Sequence, residues 1–250
     1  MTNINLIQIT DLHLTKSKNT IIQGVNTYVS AKNVINEIKT KQKKIDSLIL
    51  TGDLVDDETD LGYQNLKTLL FGIKCPIYLI PGNHDSPAAI KSICDDRIKF
   101  TNSFILNNDW VMFLFNTKKI GTHSGIFSED DIEKLNKLLE KHTEKNFIIF
   151  LHHPPISINS PWMDTMSIMN PNELYSLTKK YTSIKGIFCG HVHQEFESTI
   201  NNAKFYTTPS TCHQYKPKAD KFSLDLNLNA GYRYITLKND GEIITSVFRL

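Results

Sequence analysis

The strongest constraint on the fold of this chain is a set of five short polar motifs, each placed directly after an apolar run of strand length. Each motif carries aspartate, asparagine or histidine, often beside glycine or proline. In α/β proteins the carboxyl ends of the strands form the edge of the sheet where ligands bind, so five motifs at five strand ends predict one shared site. The motifs in chain order are Asp11-Leu12-His13, Thr51-Gly52-Asp53, Pro81-Gly82-Asn83-His84-Asp85, Leu151-His152-His153-Pro154-Pro155 and Gly190-His191-Val192-His193.

Taken singly, each motif has an ordinary structural explanation. A Gly-Asp pair after a strand is usually a turn, and a histidine at a strand end is often only hydrogen-bonded. The five together, in this order, are very hard to obtain by chance. Residues two apart in an extended segment point to the same side, so Asp11 with His13, and His191 with His193, each present two side chains together. Mixed His, Asp and Asn ligands without thiolates favour Fe, Mn, Zn or similar divalent ions.

The rest of the chain alternates strands with helices, which indicates an α/β fold. Residues 4–10, 46–50, 77–80, 110–116, 147–151 and 185–189 have strand patterns. Residues 31–42, 60–72, 128–142 and 172–181 have helical periodicity. Residues 157–171 form the least regular part and are expected to be a loop that covers another part of the protein. After residue 203 short strands alternate with turns. We expect one domain, residues 1–250, with central sheets and helices outside.

The composition gives no support for a nucleic-acid or membrane partner. The chain is 40% hydrophobic and 22% charged with a net charge of +2, which gives no argument for nucleic acid or an anionic membrane. No apolar stretch approaches the roughly 18–20 residues of a membrane span. The first 14 residues lack the features of a signal peptide. The four cysteines form no CxxC pair, so we expect a reduced, cytoplasmic protein in which they are packing residues.

The five motifs resemble those of the calcineurin-like metallophosphoesterases. That family has two packed mixed β-sheets flanked by helices (αββα), and the resemblance implies the same fold here. Segments 161–164, 191–197 and 208–217 and the tail from residue 230 are similar to the bacterial class III 3′,5′-cyclic AMP phosphodiesterases of the CpdA type. This similarity covers nearly the whole chain.

The resemblance implies a centre of two divalent or mixed-valence metal ions, with Fe or Mn favoured and Zn also suitable. One ion would be held by Asp11, His13, Asp53 and His193. The other would be held by Asp53, Asn83, His152 and His191, so that Asp53 bridges both. The residues expected to contact substrate are His13, Asp53, Asn83, His84 and His193.

The reaction implied is hydrolysis of 3′,5′-cyclic AMP to 5′-AMP. Two cations neutralise the phosphodiester and lower the pKa of a bound water, and a bridging hydroxide would attack phosphorus. His84 is expected to give a proton to the departing 3′ oxygen as general acid. Asp85 is expected either to orient or polarise His84 or to hold the turn.

Two other functions stay open. One is a less selective phosphodiesterase acting on another nucleotide, a nucleoside diphosphate lipid or a glycerophosphodiester. The other is a non-catalytic metal-dependent binding module, which would have no need of His84. A DNA nuclease is disfavoured by the short, nearly neutral chain. The sequence does not give the oligomeric state.

Several residues near the motifs have less defined expectations. His153 is at least as compatible with a structural role as with a functional one. His123 would either reach the substrate or lie on the surface, and Trp162 is a candidate wall for adenine. We expect His142 to be structural at a helix end, and Asp56 and Asp57 to be solvated.

Overall fold

Two six-stranded β-sheets form the centre of the protein, in a computed structural model that describes residues 3–250. The strands are β1 Ile4–Ile9, β2 Ile21–Ile22, β3 Val25–Asn26, β4 Ser47–Thr51, β5 Ile77–Ile80, β6 Ile98–Lys99, β7 Ser103–Ile105, β8 Trp110–Leu114, β9 Asn146–Leu151, β10 Ile184–Cys189, β11 Phe196–Ile200, β12 Ala203–Thr207, β13 Gln214–Tyr215, β14 Leu224–Asp225, β15 Gly231–Leu237 and β16 Ile243–Arg249. The helices are α1 Thr27–Lys41, α2 Asp60–Leu69, α3 Pro87–Ile93, α4 Glu129–Lys141, α5 Pro161–Asp164 and α6 Asn172–Lys180.

Both sheets are mixed. The first has the order β16-β15-β1-β4-β5-β6; β1, β4, β5 and β6 run parallel, β15 pairs antiparallel with β1, and β16 pairs antiparallel with β15. The second has the order β11-β12-β10-β9-β8-β7, with β8, β9, β10 and β12 parallel and the two edge strands antiparallel. The short strands β2 with β3, and β13 with β14, form two separate pairs.

The apolar strands are buried on both faces, as their unbroken hydrophobic sequence predicts. In β9, Ile148 and Phe150 join the core between the two sheets. Phe147, Ile149 and Leu151 point the other way, into the core under α4 and α6. Burial of each such side chain contributes roughly 1.5–3 kcal/mol. The alternation therefore attaches one helical layer to the second sheet while the same strand packs against the first.

The first sheet carries its own helical layer. Val34 of α1, Leu66 of α2 and Ile90 of α3 pack with Ile7 of β1 and Leu50 of β4 in one buried cluster. The predicted αββα fold, two packed mixed sheets flanked by helices, is confirmed by this arrangement. That the whole chain is a single domain stays a prediction, and its first two residues lie outside the part that the structure describes.

The helix boundaries are set by capping hydrogen bonds, and some of them differ from those predicted from hydrophobic periodicity. Helix α4 lies within the helical segment predicted at residues 128–142. It starts at Glu129 because the Ser128 side chain accepts from the Asp131 backbone N–H. Helix α1 starts earlier than the predicted residue 31, because Asn26 accepts from the Val29 N–H and caps the extra turn. The predicted loop 157–171 contains the short helix α5. No helix within residues 3–250 is long and apolar enough to cross a membrane.

A buried polar network joins the two sheets just below the motifs. The Gln8 amide donates to the Thr51 hydroxyl at 2.9 Å and to the Cys189 carbonyl at 3.2 Å. The Thr208 hydroxyl donates to the Gln8 amide oxygen at 2.6 Å. Because Gln8 is in the first sheet and Cys189 in the second, these bonds fix the relative position of the strand ends that carry the site.

Candidate metal centre

The parallel strands bring all five motifs to one edge. Strands β1, β4 and β5 are neighbours in the first sheet, and β9 and β10 are neighbours in the second. Their carboxyl ends are followed directly by the motifs. The seven predicted metal ligands, Asp11, His13, Asp53, Asn83, His152, His191 and His193, come together there in overlapping clusters.

One group surrounds the position predicted for the first ion. The Nε2 atoms of His13 and His193 are 3.2 Å apart. Asp11 Oδ1 is 3.3 Å from His193 Nε2, and Asp53 Oδ2 is 3.8 Å from His13 Nε2. Donor atoms that share one ion at roughly 2.0–2.2 Å are separated by about 3–3.6 Å. The first two distances lie in this range and the third is slightly longer, so a small movement of Asp53 or His13 would let this group hold a metal.

The second group is built the same way. His152 Nε2 lies 3.3 Å from Asp53 Oδ2, 3.3 Å from Asn83 Oδ1 and 3.2 Å from His191 Nδ1. Asp53 Oδ2 is therefore common to both groups. The donors are imidazole nitrogens, carboxylates and an amide oxygen, a set that suits divalent ions, and the identity of the metals stays a prediction.

An unusual backbone supports these side chains. The backbone φ is positive at Asp11 (53°), His13 (47°), Asp53 (48°), His191 (68°) and His193 (47°). Few non-glycine residues adopt this left-handed region, and Asp, Asn and His are the types enriched there. The strand ends therefore turn sharply at the ligands themselves, which directs neighbouring side chains to one point.

Two glycines allow the motifs to approach closely. A Cβ at Gly82 would lie 2.1 Å from Asp53 Oδ1, and one at Gly190 would lie 2.0 Å from Thr10 Oγ1. A side chain at either position would push the strand ends apart, so glycine is required where the motifs of different strands meet.

In three of the four ligand histidines, the ring nitrogen that faces away from the centre is hydrogen-bonded. Nδ1 of His152 hydrogen-bonds the Thr51 carbonyl at 2.7 Å, and Nδ1 of His193 hydrogen-bonds the His213 carbonyl at 2.8 Å. Nδ1 of His13 lies 2.8 Å from Asp56 Oδ1. A proton fixed on Nδ1 leaves Nε2 with a free lone pair facing the centre, which is the usual arrangement of metal-binding histidines.

The carboxylates of the centre are ionised at neutral pH. Burial alone would raise the pKa of Asp53, but the charge and hydrogen bond of His152 outweigh it and hold that pKa well below its usual range. Burial would lower the pKa of His152, yet Asp53 and Asp11 raise it to about 9. Burial would likewise lower the pKa of His13, yet the same carboxylates raise it, so protons on these histidines would balance the negative charge until a cation replaces them on binding.

His84 lies at the mouth of this centre. Its ring contacts that of His13 edge-on, with 5.1 Å between centroids, and its backbone N–H donates to Asp53 Oδ1 at 3.0 Å. Its Nδ1 is 3.3 Å from Asp56 Oδ1. The expectation that Asp56 is solvated was therefore wrong, since this half-exposed carboxylate contacts both His13 and His84. Asp57 instead accepts from the N–H and hydroxyl of Thr59 in its own loop and from the N–H of Lys16 in another.

Asp85 has a different role from Asp56. Its buried carboxylate accepts from the backbone N–H groups of Gly82 at 2.9 Å, Leu54 at 3.0 Å and Val55 at 3.1 Å, and from the Tyr63 hydroxyl at 3.0 Å. Within the described residues it makes no hydrogen bond to His84. The expectation that it orients His84 as part of the catalytic machinery is corrected; these contacts hold the turn, which was the other expectation.

The five residues expected to contact substrate line one cleft of about 180 Å³. His123 lies at its edge, with Nδ1 3.2 Å from the Asn83 amide nitrogen, so it reaches the site. Trp162 lies on the opposite, apolar side with Met163, Met166 and Tyr215. His142 is the residue at which α4 ends, where its N–H donates to the Leu138 carbonyl, as a structural role requires.

The sequence reasoning missed Tyr215. Its ring stacks on that of His193, with 4.2 Å between centroids and 18° between planes. It also contacts Trp162 edge-on at 5.1 Å. Tyr215 lies in segment 208–217, which carries part of the family resemblance, and that resemblance was the one available signal because the segment has no strand-end motif.

Known proteins share both the sequence pattern and the fold described above. The family model for calcineurin-like phosphoesterases matches residues 4–195. The chain is 35% identical over 248 residues to the 3′,5′-cyclic adenosine monophosphate phosphodiesterase CpdA of Haemophilus influenzae, covering 99% of this chain and 90% of that protein. It is 32% identical over 247 residues to a 3′,5′-cyclic-nucleotide phosphodiesterase of Nostoc, covering 99% and 92%. A dimetal phosphatase from Danio rerio has the same fold, with a TM-score of 0.70 at 13% identity over 97% of this chain and 98% of that one.

Proposed function

This chain belongs to the calcineurin-like metallophosphoesterases, and on that premise we propose that it hydrolyses 3′,5′-cyclic AMP to 5′-AMP at a dinuclear metal centre. The observation that carries the proposal is the identity of 32–35% over nearly the whole chain with proteins named as cyclic-nucleotide phosphodiesterases. The geometry of the two donor groups supports it, because cleavage of an anionic diester needs charge neutralisation at one point.

The proposed ligands of the first ion are Asp11, His13, Asp53 and His193. Those of the second are Asp53, Asn83, His152 and His191. Fe and Mn are the proposed metals, with Zn also compatible with these donors. When bound, the two ions would neutralise the phosphate and supply an activated water or hydroxide as nucleophile.

The protein's own part in the reaction is positioning and proton transfer. His84 projects beside the shared ligand Asp53, with its Nδ1 directed to Asp56. That contact leaves Nε2 free to face the substrate. We assign His84 as the general acid that protonates the departing 3′ oxygen, and Asp56 as the carboxylate that orients it. His123 and Asn83 would contact the phosphate from the other side.

An apolar wall beside the centre supports a nucleotide as substrate. Trp162 and Tyr215 pack edge to face, and both border the cleft that contains His84. Aromatic faces next to a metal centre suit a planar base more than they suit a simple phosphate. We assign this wall to the adenine.

The direct test is a comparison of substrates. Purified, Mn²⁺-loaded protein is incubated with 3′,5′-cyclic AMP, 2′,3′-cyclic AMP and bis(p-nitrophenyl) phosphate, and products are separated by chromatography. We expect 5′-AMP from 3′,5′-cyclic AMP, and no product after treatment with a chelator until metal is restored. Turnover of bis(p-nitrophenyl) phosphate without 5′-AMP would indicate a less selective phosphodiesterase. Metal binding without turnover of any diester would indicate a binding module.

Asp56→Ala tests the orientation of His84. Removing this carboxylate frees both His84 and the outer nitrogen of His13, so we expect kcat on 3′,5′-cyclic AMP to fall by about 10–100-fold, as for other residues that hold metal or catalytic histidines. The matched control is Asp57→Ala, which removes the neighbouring carboxylate but touches neither histidine. Equal kcat values for the two variants under metal saturation would contradict the assignment.

Cytoplasmic location and the absence of a nucleic-acid partner stay predictions. Among the described residues all four cysteines are unpaired.

A further inference from the structure

One ligand histidine is held differently from the other three. The outer nitrogens of His13, His152 and His193 each have an acceptor within 2.8 Å. The outer nitrogen of His191, Nε2, is fully buried and has no hydrogen-bond partner among residues 3–250. A histidine that binds a metal through one nitrogen carries its proton on the other, and that N–H is almost always satisfied. His191 therefore lacks the support that its role requires.

A second unsatisfied nitrogen lies beside it. His153 is fully buried, and its Nε2 also has no partner within the described part of the chain. The rings of His153 and His191 are 4.8 Å apart between centroids. One ring nitrogen from each of His152, His153 and His191 lies within 4.8 Å of the others. Ring nitrogens this close can share a hydrogen bond after a small ring movement, or one bridging water.

The proton positions make the two nitrogens complementary. His191 Nδ1 is the atom that faces the second group of ligands, 3.2 Å from His152 Nε2, so the proton of His191 belongs on Nε2. His153 Nδ1 lies 2.8 Å from the Thr117 hydroxyl. A proton on that nitrogen, donated to Thr117, leaves His153 Nε2 as an acceptor.

We propose that His153 accepts a hydrogen bond from His191 Nε2–H, directly or through one water, and so positions this ligand of the second metal ion. The proposal rests on the assignment of His191 to the second ion under the proposed function. It makes His153 a positioning residue, not a ligand.

The loop that carries His123 fixes His153 from its other side. Thr117 stands at the start of that loop and bonds His153 Nδ1. At Gly125, an added Cβ would lie 2.6 Å from His153 Nδ1. His123, between them, lies 3.2 Å from Asn83, which is another ligand of the second group. The loop and the second ion are thus connected through His153.

Replacement of His153 by glutamine and asparagine separates a hydrogen bond from simple packing. The glutamine amide reaches the position of Nε2, whereas the asparagine amide reaches only that of Nδ1. Metal-free His153→Ala, His153→Gln and His153→Asn are titrated with Mn²⁺ by calorimetry, a readout that does not depend on turnover. We expect His153→Ala to bind the first ion normally and the second about 10–100-fold more weakly. His153→Gln should recover much of that loss and His153→Asn little of it.

Three results would overturn the proposal: normal affinity of His153→Ala for both ions, equal weakening of both, or equal recovery by Gln and Asn. Nitrogen-15 NMR of the wild-type, Zn²⁺-loaded protein gives a check that needs no variant. We expect the His153 proton on Nδ1. A proton on Nε2 would leave that nitrogen unable to accept from His191 and would also overturn the proposal. Because these measurements concern metal binding and tautomers, failure of cyclic AMP hydrolysis would leave their outcome readable.

Discussion

Asp53→Ala is expected to abolish turnover and to release both metal ions. Asp53 is the one residue common to the two donor groups, with Oδ2 3.3 Å from His152 Nε2 and 3.8 Å from His13 Nε2. Its other oxygen accepts the backbone N–H of His84, so the variant also loosens the proposed general acid. The loss of kcat should therefore exceed the ~10²–10⁴-fold typical of removing a general acid alone. Metal content by elemental analysis should fall well below two ions per chain.

The matched control for this variant is Asp57→Ala, which replaces the aspartate four residues after Asp53 in the same loop. Its carboxylate is exposed and, among residues 3–250, bonds only Lys16 and Thr59. It should keep both metal ions and its rate. The assignment of Asp53 as the shared ligand is wrong if Asp53→Ala retains two ions and a rate close to that of this control.

His84→Ala is expected to keep its metals and to lose rate according to the leaving group. The seven proposed ligands complete both groups without His84, whose ring is about one-third exposed at the mouth of the cleft. A ribose 3′ oxygen is a poor leaving group and needs a proton, whereas p-nitrophenolate is a stable anion. We expect a loss of about 10²-fold or more on 3′,5′-cyclic AMP and a distinctly smaller loss on bis(p-nitrophenyl) phosphate.

Kinetics on both substrates, combined with elemental analysis, distinguish the possible roles of His84. His142→Ala, at the end of α4, is the control for loss of a histidine away from the cleft. Equal losses on the two substrates with both ions retained would mean that His84 holds the phosphate through charge. Loss of one ion would make it a ligand or a support, and the proton-transfer role would be withdrawn.

The strands that carry the site could be predicted from the sequence because each is an unbroken apolar run with a polar motif at its end. Parallel neighbours share an edge, so Asp11, Asp53 and Asn83 had to lie close together once β1, β4 and β5 were identified. The same argument applied to His152 and His191.

Contacts between loops could not be predicted from the sequence. Asp56 reaches His84 only because the turn after β4 passes beside the turn after β5, and Asp85 bonds the backbone of the first of these turns instead of its own neighbour. Both are aspartates near a motif, and nothing local distinguishes them. Tyr215 lies 22 residues after His193, and its approach rests on a contact between loops, in which its N–H donates to the His193 carbonyl at 3.3 Å.

The left-handed backbone at Asp11, His13, Asp53, His191 and His193 limits how such a centre could be transplanted into another scaffold. Metal chemistry and turn geometry here select the same few residue types, because Asp, Asn and His both bind divalent ions and tolerate this conformation. Each such residue carries strain of order 1–3 kcal/mol that the surrounding sheets must offset. A designer who grafted the seven side chains onto regular strand ends would therefore reproduce the donors but not the directions in which they point.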